Sequence, residues 1–546
     1  MKNFSVGLAL LALLGSIPAA WAGPSAPPSR PTALVPLNPE GLGFELRLPE
    51  GKTRFQQGET IPIRLIFSNR GPQTLCLDTF YYSPPSMAVF ATFAVSPQDG
   101  ATTPFGDLPP ETAFSYNGPG PARPRILSDK PTEVTLVLNE YVRFDRPGTF
   151  QIRATTNHVF AVAKGQPAPS EGSFFGRGES VSSSPLSIEI VPADPKWQQD
   201  QVKAWHTFWA KQKPGSMEWD TPPGVQRPAN DLRFLNTRPA AQAIIERLGQ
   251  DEFPRSSGSE SYFWRSGLIG VSDRFWLIGA MKEAMRRPNY PVTQGFLDNL
   301  ATLQALYHVA RPKKETPNGK FWKATEKASL ANWQGAFAAL TSKQGRARAM
   351  TIHSLLESGW ESRFEKAPEI KARLDRLVEM VPAVFKELPP LPQQYLLDDS
   401  DSNNEWKRVK NPRFVGPLVR EWKTVPHSEG WEMERGDLIL RHIYELDSKV
   451  GRALILQEMG SSQPRASFEV LSLLNDRYLP QLQNIWWTHL NSNEADQDMA
   501  ALLIGRYATP ALKTKVQKEY AQRKRDNLLS FDVNRGLRRY LAKVAG

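Results

Sequence analysis

The residues of this 546-residue chain that could do chemistry are sparse and widely spaced. Its seven histidines (His158, His206, His308, His353, His427, His442, His489) never form a His-x-His or His-Glu-x-x-His pair, the spacing that seats zinc on one face of a strand or helix. No Gly-x-Ser-x-Gly elbow presents a serine nucleophile. Gly51-Lys52-Thr53 carries only the tail of a phosphate loop, with Leu46 where the first glycine should stand. Asp399-Ser400-Asp401-Ser402-Asn403-Asn404 puts oxygen donors where a calcium loop begins, but Asn404 replaces the turn glycine and Lys410 the bidentate glutamate. The single cysteine, Cys76, sits in the apolar stretch Thr74-Leu75-Cys76-Leu77, where a thiol packs as a small hydrophobe. These spacings lead us to expect no metal and no cofactor. Among the carboxylates, Glu357 and Glu361 share one side of a helical pattern, most simply its solvated face.

Leu355-Leu356-Glu357-Ser358-Gly359-Trp360 resembles the Glu-Ser-Gly-aromatic motif of lytic transglycosylases. That resemblance implies that Glu357, kept protonated by an apolar pocket, is the general acid on a peptidoglycan glycosidic bond. It covers these few residues alone, and the Gly-Leu-x-Gln segment of that family is absent downstream. Tryptophan offers a second route to function, since fourteen of the fifteen lie between Trp197 and Trp487. Packing between helices accounts for most; exposed ones stack on sugars or anchor protein interfaces. Trp486 and Trp487, with Arg535, Arg538 and Arg539 of the basic C-terminal stretch, are the candidate ligand-binding residues.

The elements that would carry these residues change character near Pro192. Before it apolar residues alternate as in half-buried strands: Phe44 to Leu48, Ile61-Ile63-Leu65-Phe67, Met87–Val95, Glu133–Leu138, Thr149–Ala154, His158–Val162 and Leu186–Val191. Tyr141-Val142-Arg143-Phe144-Asp145-Arg146-Pro147-Gly148-Thr149-Phe150-Gln151-Ile152-Arg153 resembles the Asp-x-Pro-Gly-x-aromatic turn that leads into a late strand of many bacterial immunoglobulin-like domains, with Phe150 in place of the usual tyrosine. The expected fold of residues 41–192 is therefore an immunoglobulin-like antiparallel β-sandwich. Its two long insertions, about 104–131 and 165–184, are either binding loops or disordered ornament.

After Pro192 apolar residues recur every three or four, and helix starts are marked by Asp194-Pro195, Ser272-Asp273 and Thr293. Arg477-Tyr478-Leu479-Pro480-Gln481-Leu482 and Arg506-Tyr507-Ala508-Thr509-Pro510-Ala511-Leu512 are alike, and the succession of proline-punctuated helices resembles HEAT-like α-solenoid repeats. Residues 193–546 thus read as a HEAT-like array of helical hairpins, interrupted by an irregular stretch at about 388–431.

Lys2, the apolar run Val6 to Leu14, and Ala20-Trp21-Ala22 form a signal peptide over residues 1–22, followed by a proline-rich lead-in over 23–40. The mature chain is expected in the periplasm or outside the cell, with no transmembrane segment and no nucleic-acid partner. The net charge of +11 is confined to the helical half: fifteen basic and fifteen acidic residues precede residue 193, and 52 basic against 41 acidic follow. Solenoids offer extended binding surfaces, so the expected role is non-enzymatic binding or scaffolding in the cell envelope, with a protein or glycan partner. A lytic transglycosylase-like enzyme using Glu357 and a purely structural spacer are the alternatives.

Overall fold

The computed structural model describes residues 38–78, 90–103, 124–162, 178–211, 232–250, 260–309, 319–359, 368–398, 405–425, 431–459, 465–466, 470, 473–474, 482–491 and 494–545. The expected leader, the calcium-like loop at 399–404, Glu361, the Arg477 to Gln481 segment and most of both long insertions lie outside these residues.

The first part is β-rich. Its strands are β1 (Leu42–Arg47), β2 (Arg54–Gln56), β3 (Pro62–Asn69), β4 (Leu75–Asp78), β5 (Thr92–Ser96), β6 (Ala101–Thr102), β7 (Pro124–Ile126), β8 (Thr132–Val137), β9 (Arg143–Phe144), β10 (Gly148–Ala161), β11 (Glu179–Ser182) and β12 (Leu186–Val191). One sheet runs β1-β3-β8; a larger one runs β2-β12-β10-β4-β7, with β5 and β11 also paired to β10. Alternation fixes the register: Phe44 opposes Phe67 with rings stacked at 4.3 Å, and Leu46 opposes Leu65. The two expected strands Thr149–Ala154 and His158–Val162 are one 14-residue strand, β10. A register shift between Thr156 and Val159 marks where the sequence pattern breaks. After the Pro147-Gly148 turn, Phe150 and Ile152 point into the core, 1% and 0% exposed. Cys76 on β4 is buried, and burial with the nearby Asp78 charge pushes its thiol up to about 11.

The second part is helical: α1 (Pro195–Trp209), α2 (Arg238–Leu248), α3 (Glu260–Ile269), α4 (Arg274–Arg286), α5 (Gln294–His308), α6 (Lys320–Ala339), α7 (Gly345–Gly359), α8 (Pro368–Val384), α9 (Pro390–Leu397), α10 (Glu405–Val409), α11 (Val415–Trp422), α12 (Trp431–Leu446), α13 (Ser448–Met459), α14 (Gln483–Leu490), α15 (Glu494–Tyr507), α16 (Lys513–Arg525) and α17 (Phe531–Ala545). The caps act as their sequences imply. Asp194 accepts the Lys196 N–H at 2.9 Å, Asp273 the Trp276 N–H at 3.0 Å, and Thr293 the Phe296 N–H at 3.2 Å. The expected irregular stretch at 388–431 is a correction: its described residues contain α9, α10 and α11. These short helices bury Leu396, Leu397, Trp406, Leu418 and Trp422, a pattern too brief to register as a period in the sequence.

Buried apolar residues form two clusters, one drawn from the β-rich part and one spanning the helices from Trp205 to Tyr540. Polar contacts join the two parts. Asp194 N–H donates to Gln56 Oε1 at 2.8 Å. Arg233, just ahead of α2 and 2% exposed, forms an ion pair with Glu140 of the β-rich part. Asn139 steadies that neighbour by accepting the Ile61 N–H at 2.7 Å and donating to the Glu59 carbonyl at 2.9 Å.

Candidate binding surface

Glu357 occupies the last turn of α7, one turn after His353. The sequence suggests a solvated face, which the structure corrects: the Glu357 side chain is 8% exposed and the His353 side chain 2%, with Nδ1 and Oε2 3.5 Å apart. The reason is packing on every side of α7 beyond Arg348, which buries Ser354, Leu355, Leu356 and Ser358 alike. Trp333 of α6 reinforces the enclosure by donating its Nε1–H to the Leu355 carbonyl at 2.9 Å. The carboxylate is therefore an internal partner of an imidazole.

A second polar cluster lies in the former interruption. Trp406 of α10 stacks on His442 of α12 at 3.9 Å and donates its Nε1–H to Glu445 Oε2 at 2.6 Å. Lys410 donates to the other oxygen at 2.6 Å, and the buried His442 contacts the Leu397 carbonyl through Nε2 at 2.7 Å. Burial raises the Glu445 pKa, but the two hydrogen bonds and the Lys410 and His442 charges outweigh it and hold the carboxyl below its usual range. Each of these groups is engaged in tying α9, α10 and α12 together. A narrow crevice also separates the β-rich part from the start of the helices, lined by Gln56, Gly58, Glu59, Arg233, Phe234 and Asn236 among others. No three His, Cys, Asp or Glu side chains converge as metal ligands among the described residues.

The tryptophan pair divides. Trp486 is fully buried, in line with Leu482 and Leu490 one turn to either side, so it cannot line a ligand surface. Trp487 is partly buried against the same core. Arg535, Arg538 and Arg539, by contrast, are exposed.

Their exposure follows from how α17 is seated. Val533, Gly536, Leu537 and Tyr540 recur at helical spacing and are all buried. Gly536 and Gly505 let α17 and α15 meet backbone to backbone: a Cβ on Gly536 would stand 2.3 Å from Ala501 C and O, and one on Gly505 2.3 Å from Gly536 O. Tyr540 locks the contact by donating its hydroxyl to the Thr509 carbonyl at 2.6 Å. With that face committed, Arg535, Arg538 and Arg539 must project away from the body.

The basic residues around them fall into two groups. Arg523 of α16 is 9% exposed and donates to Glu519 at 2.7 Å, Gln497 at 2.9 Å and the Leu490 carbonyl at 2.6 Å. Lys513 donates to the Val544 carbonyl at 3.0 Å and Lys543 to the Arg506 carbonyl at 3.2 Å, each answering the partial negative charge of a helix C-terminus. These three hold the hairpin. Lys515, Lys518, Lys524, Arg525, Arg535, Arg538 and Arg539 are exposed and make no ion pair among the described residues. A rigid α16–α17 hairpin therefore displays a set of uncommitted cations.

Sequence reasoning missed two apolar residues on that hairpin. Leu528 and Phe531 are 64% and 79% exposed. A helical-wheel reading of 531–545 would have found Phe531, which falls opposite Val533, Leu537 and Tyr540.

No family model matches this chain, and no curated protein does. Among solved structures it is similar to the native conformation of alpha-2-macroglobulin from E. coli, at 10% identity and a TM-score of 0.15, over 79% of this chain and 26% of that one. The chain spans about a quarter of that protein's length, and a likeness at this score carries no argument. No helix among the described residues is long and apolar enough to cross a membrane.

Proposed function

We propose that this chain is an exported binding or scaffold protein of the cell envelope, built as an immunoglobulin-like sandwich followed by a HEAT-like array of helical hairpins. Two sheets feeding one core and the inward Phe150 and Ile152 after the Pro147-Gly148 turn support the first part of that reading. Helices that follow one another in sequence and pack together, such as α5 with α6 and α7 with α8, support the second. The observation that carries the functional reading is the outward row Arg535, Arg538 and Arg539 on a hairpin held in place by Arg523, Lys513 and Lys543. Uncommitted guanidinium groups on a fixed frame suit an acidic partner, either a protein or a carboxylate-bearing glycan.

The general-acid alternative rests on Glu357, whose carboxylate must reach a glycosidic oxygen to act. Its position beside His353 inside α7 favours a structural role. One experiment separates the two. The mature protein is incubated with purified peptidoglycan sacculi, sedimented, and the supernatant assayed for released fragments. Retention without fragments is the expected result. Fragment release that Glu357→Gln abolishes would overturn the binding reading in favour of the enzyme, and neither retention nor release would remove glycan as the partner.

A further inference from the structure

From the tip of the C-terminal hairpin we infer that the protein docks on an anionic lipid surface, with Leu528 and Phe531 entering the bilayer interface and the arginine row on α17 meeting lipid phosphates. This deepens the binding reading above, on the same hairpin, by naming a membrane as a surface it engages.

The turn between α16 and α17 is built rather than loose. Asn527 adopts a left-handed φ of 56°, and the Leu528 N–H donates back to the Arg523 carbonyl at 2.9 Å. Ser530 then caps α17: its hydroxyl accepts the Val533 N–H at 3.2 Å, its carbonyl accepts the Asn534 N–H at 3.0 Å, and Ser530 also bonds Asp498. Tyr520 donates its hydroxyl to Asn534 Oδ1 at 3.0 Å, bracing the two helices behind the turn. The frame thus holds two large apolar side chains out in water, at 64% and 79% exposure, against the cost of hydrating them.

Position on the helix supplies the rest. Residues four and seven apart share a face, so Phe531, Arg535 and Arg538 form one stripe, with Arg539 at its margin. The stripe runs for roughly 12 Å from Phe531 to Arg539 at the helical rise. Leu528 adjoins its apolar end, and the exposed Lys524 and Arg525 flank it from α16. Asp526, Asp532 and, from α15, the Asp498 that bonds Ser530 are acidic residues near the tip; across Lys513 to Ala545 ten basic residues face three acidic ones. Apolar anchors followed by cations on one outward face match the interface of an anionic membrane, whose acyl boundary takes the rings and whose headgroups take the charges. An acidic protein satisfies the arginines but needs a matching apolar pocket for each protruding side chain, whereas a bilayer interface takes both without one.

The test uses the full mature chain and vesicles of phosphatidylcholine with or without phosphatidylglycerol, separated by sedimentation. We expect binding only with phosphatidylglycerol, weakening as salt rises. Leu528→Ser with Phe531→Ser should lower it at least tenfold, and R535Q/R538Q/R539Q roughly a hundredfold, with far-UV circular dichroism unchanged. Phe531→Cys adds a direct readout, since the buried Cys76 thiol leaves position 531 as the site for an environment-sensitive fluorophore; its emission should shift blue on phosphatidylglycerol vesicles. Equal binding to both vesicle types, binding indifferent to the tip substitutions, or an unshifted fluorophore would each overturn the inference. Sacculus retention, measured in parallel, should survive Leu528→Ser with Phe531→Ser, so failure at the membrane and failure of the partner reading remain distinguishable.

Discussion

Replacing Gly536 with alanine tests how the basic hairpin is seated. The substitution puts a methyl 2.3 Å from Ala501 C and O and 2.7 Å from Leu502 N, all backbone atoms of α15 that no rotamer change can move. Ordinary contact requires α17 to retreat by about 1 Å, which strips packing from Leu537 and strains the Tyr540 hydroxyl bond. Overpacking of this kind costs about 3 kcal/mol at the upper end of its usual range, and the better helix propensity of alanine returns about 1 kcal/mol. The net expectation is a loss of about 2 kcal/mol. Gly279, inside α4, supplies the opposite case, because a Cβ added there would meet no atom within 4 Å: Gly279→Ala should gain up to about 1 kcal/mol. Urea unfolding followed by circular dichroism measures both. Two shifts of the same sign, or a Gly536→Ala variant as stable as the parent, would refute the backbone contact as the reason for the hairpin's position.

Two further predictions concern buried charge. Lys343 donates to the Arg287 and Tyr290 carbonyls at 3.0 and 2.6 Å, and burial lowers its amine to about 8. The unfolded chain therefore binds the extra proton between pH 8 and about 10, so stability should rise with pH across that window by about 2 kcal/mol. Lys343→Gln should flatten the rise in urea titrations; a rise of equal size in the variant would rule Lys343 out, and above the usual tyrosine range the raised Tyr290 hydroxyl acts in the opposite sense. Arg233→Met should cost about 3 kcal/mol by stranding Glu140, and Glu140→Leu added to it should restore part of that loss in thermal unfolding. No recovery in the double variant would mean that the ion pair is not what couples the two parts.

How much of this was legible in the sequence depended on whether the signal was local. Asp194-Pro195, Asp273 and Thr293 announce helices because a cap needs only its own next few residues. Leu186–Val191 reads as a strand through its own alternation, while its parallel pairing with Arg54–Gln56 depends on residues over a hundred positions away. Helices α9 to α11 escaped because five to eight residues carry too little periodicity. At the candidate sites, Glu357 was misplaced because its helix is enclosed on more sides than an amphipathic pattern assumes, and Trp486 because it belongs to the apolar stripe of Leu482 and Leu490. Arg535, Arg538 and Arg539 were legible because charge on the face opposite Val533, Leu537 and Tyr540 has nowhere to go but outward. Which neighbouring cations are spent on carbonyls, as Lys513, Lys543 and Arg523 are, emerges only in three dimensions.

The most direct test of the account is the salt dependence of sacculus binding for the parent chain and for R535Q/R538Q/R539Q. If the uncommitted arginine row makes the contact, the parent's affinity falls steeply with ionic strength, and the variant binds weakly with a shallow slope. Identical affinities and slopes for the two proteins would contradict the claim that this hairpin is the binding surface.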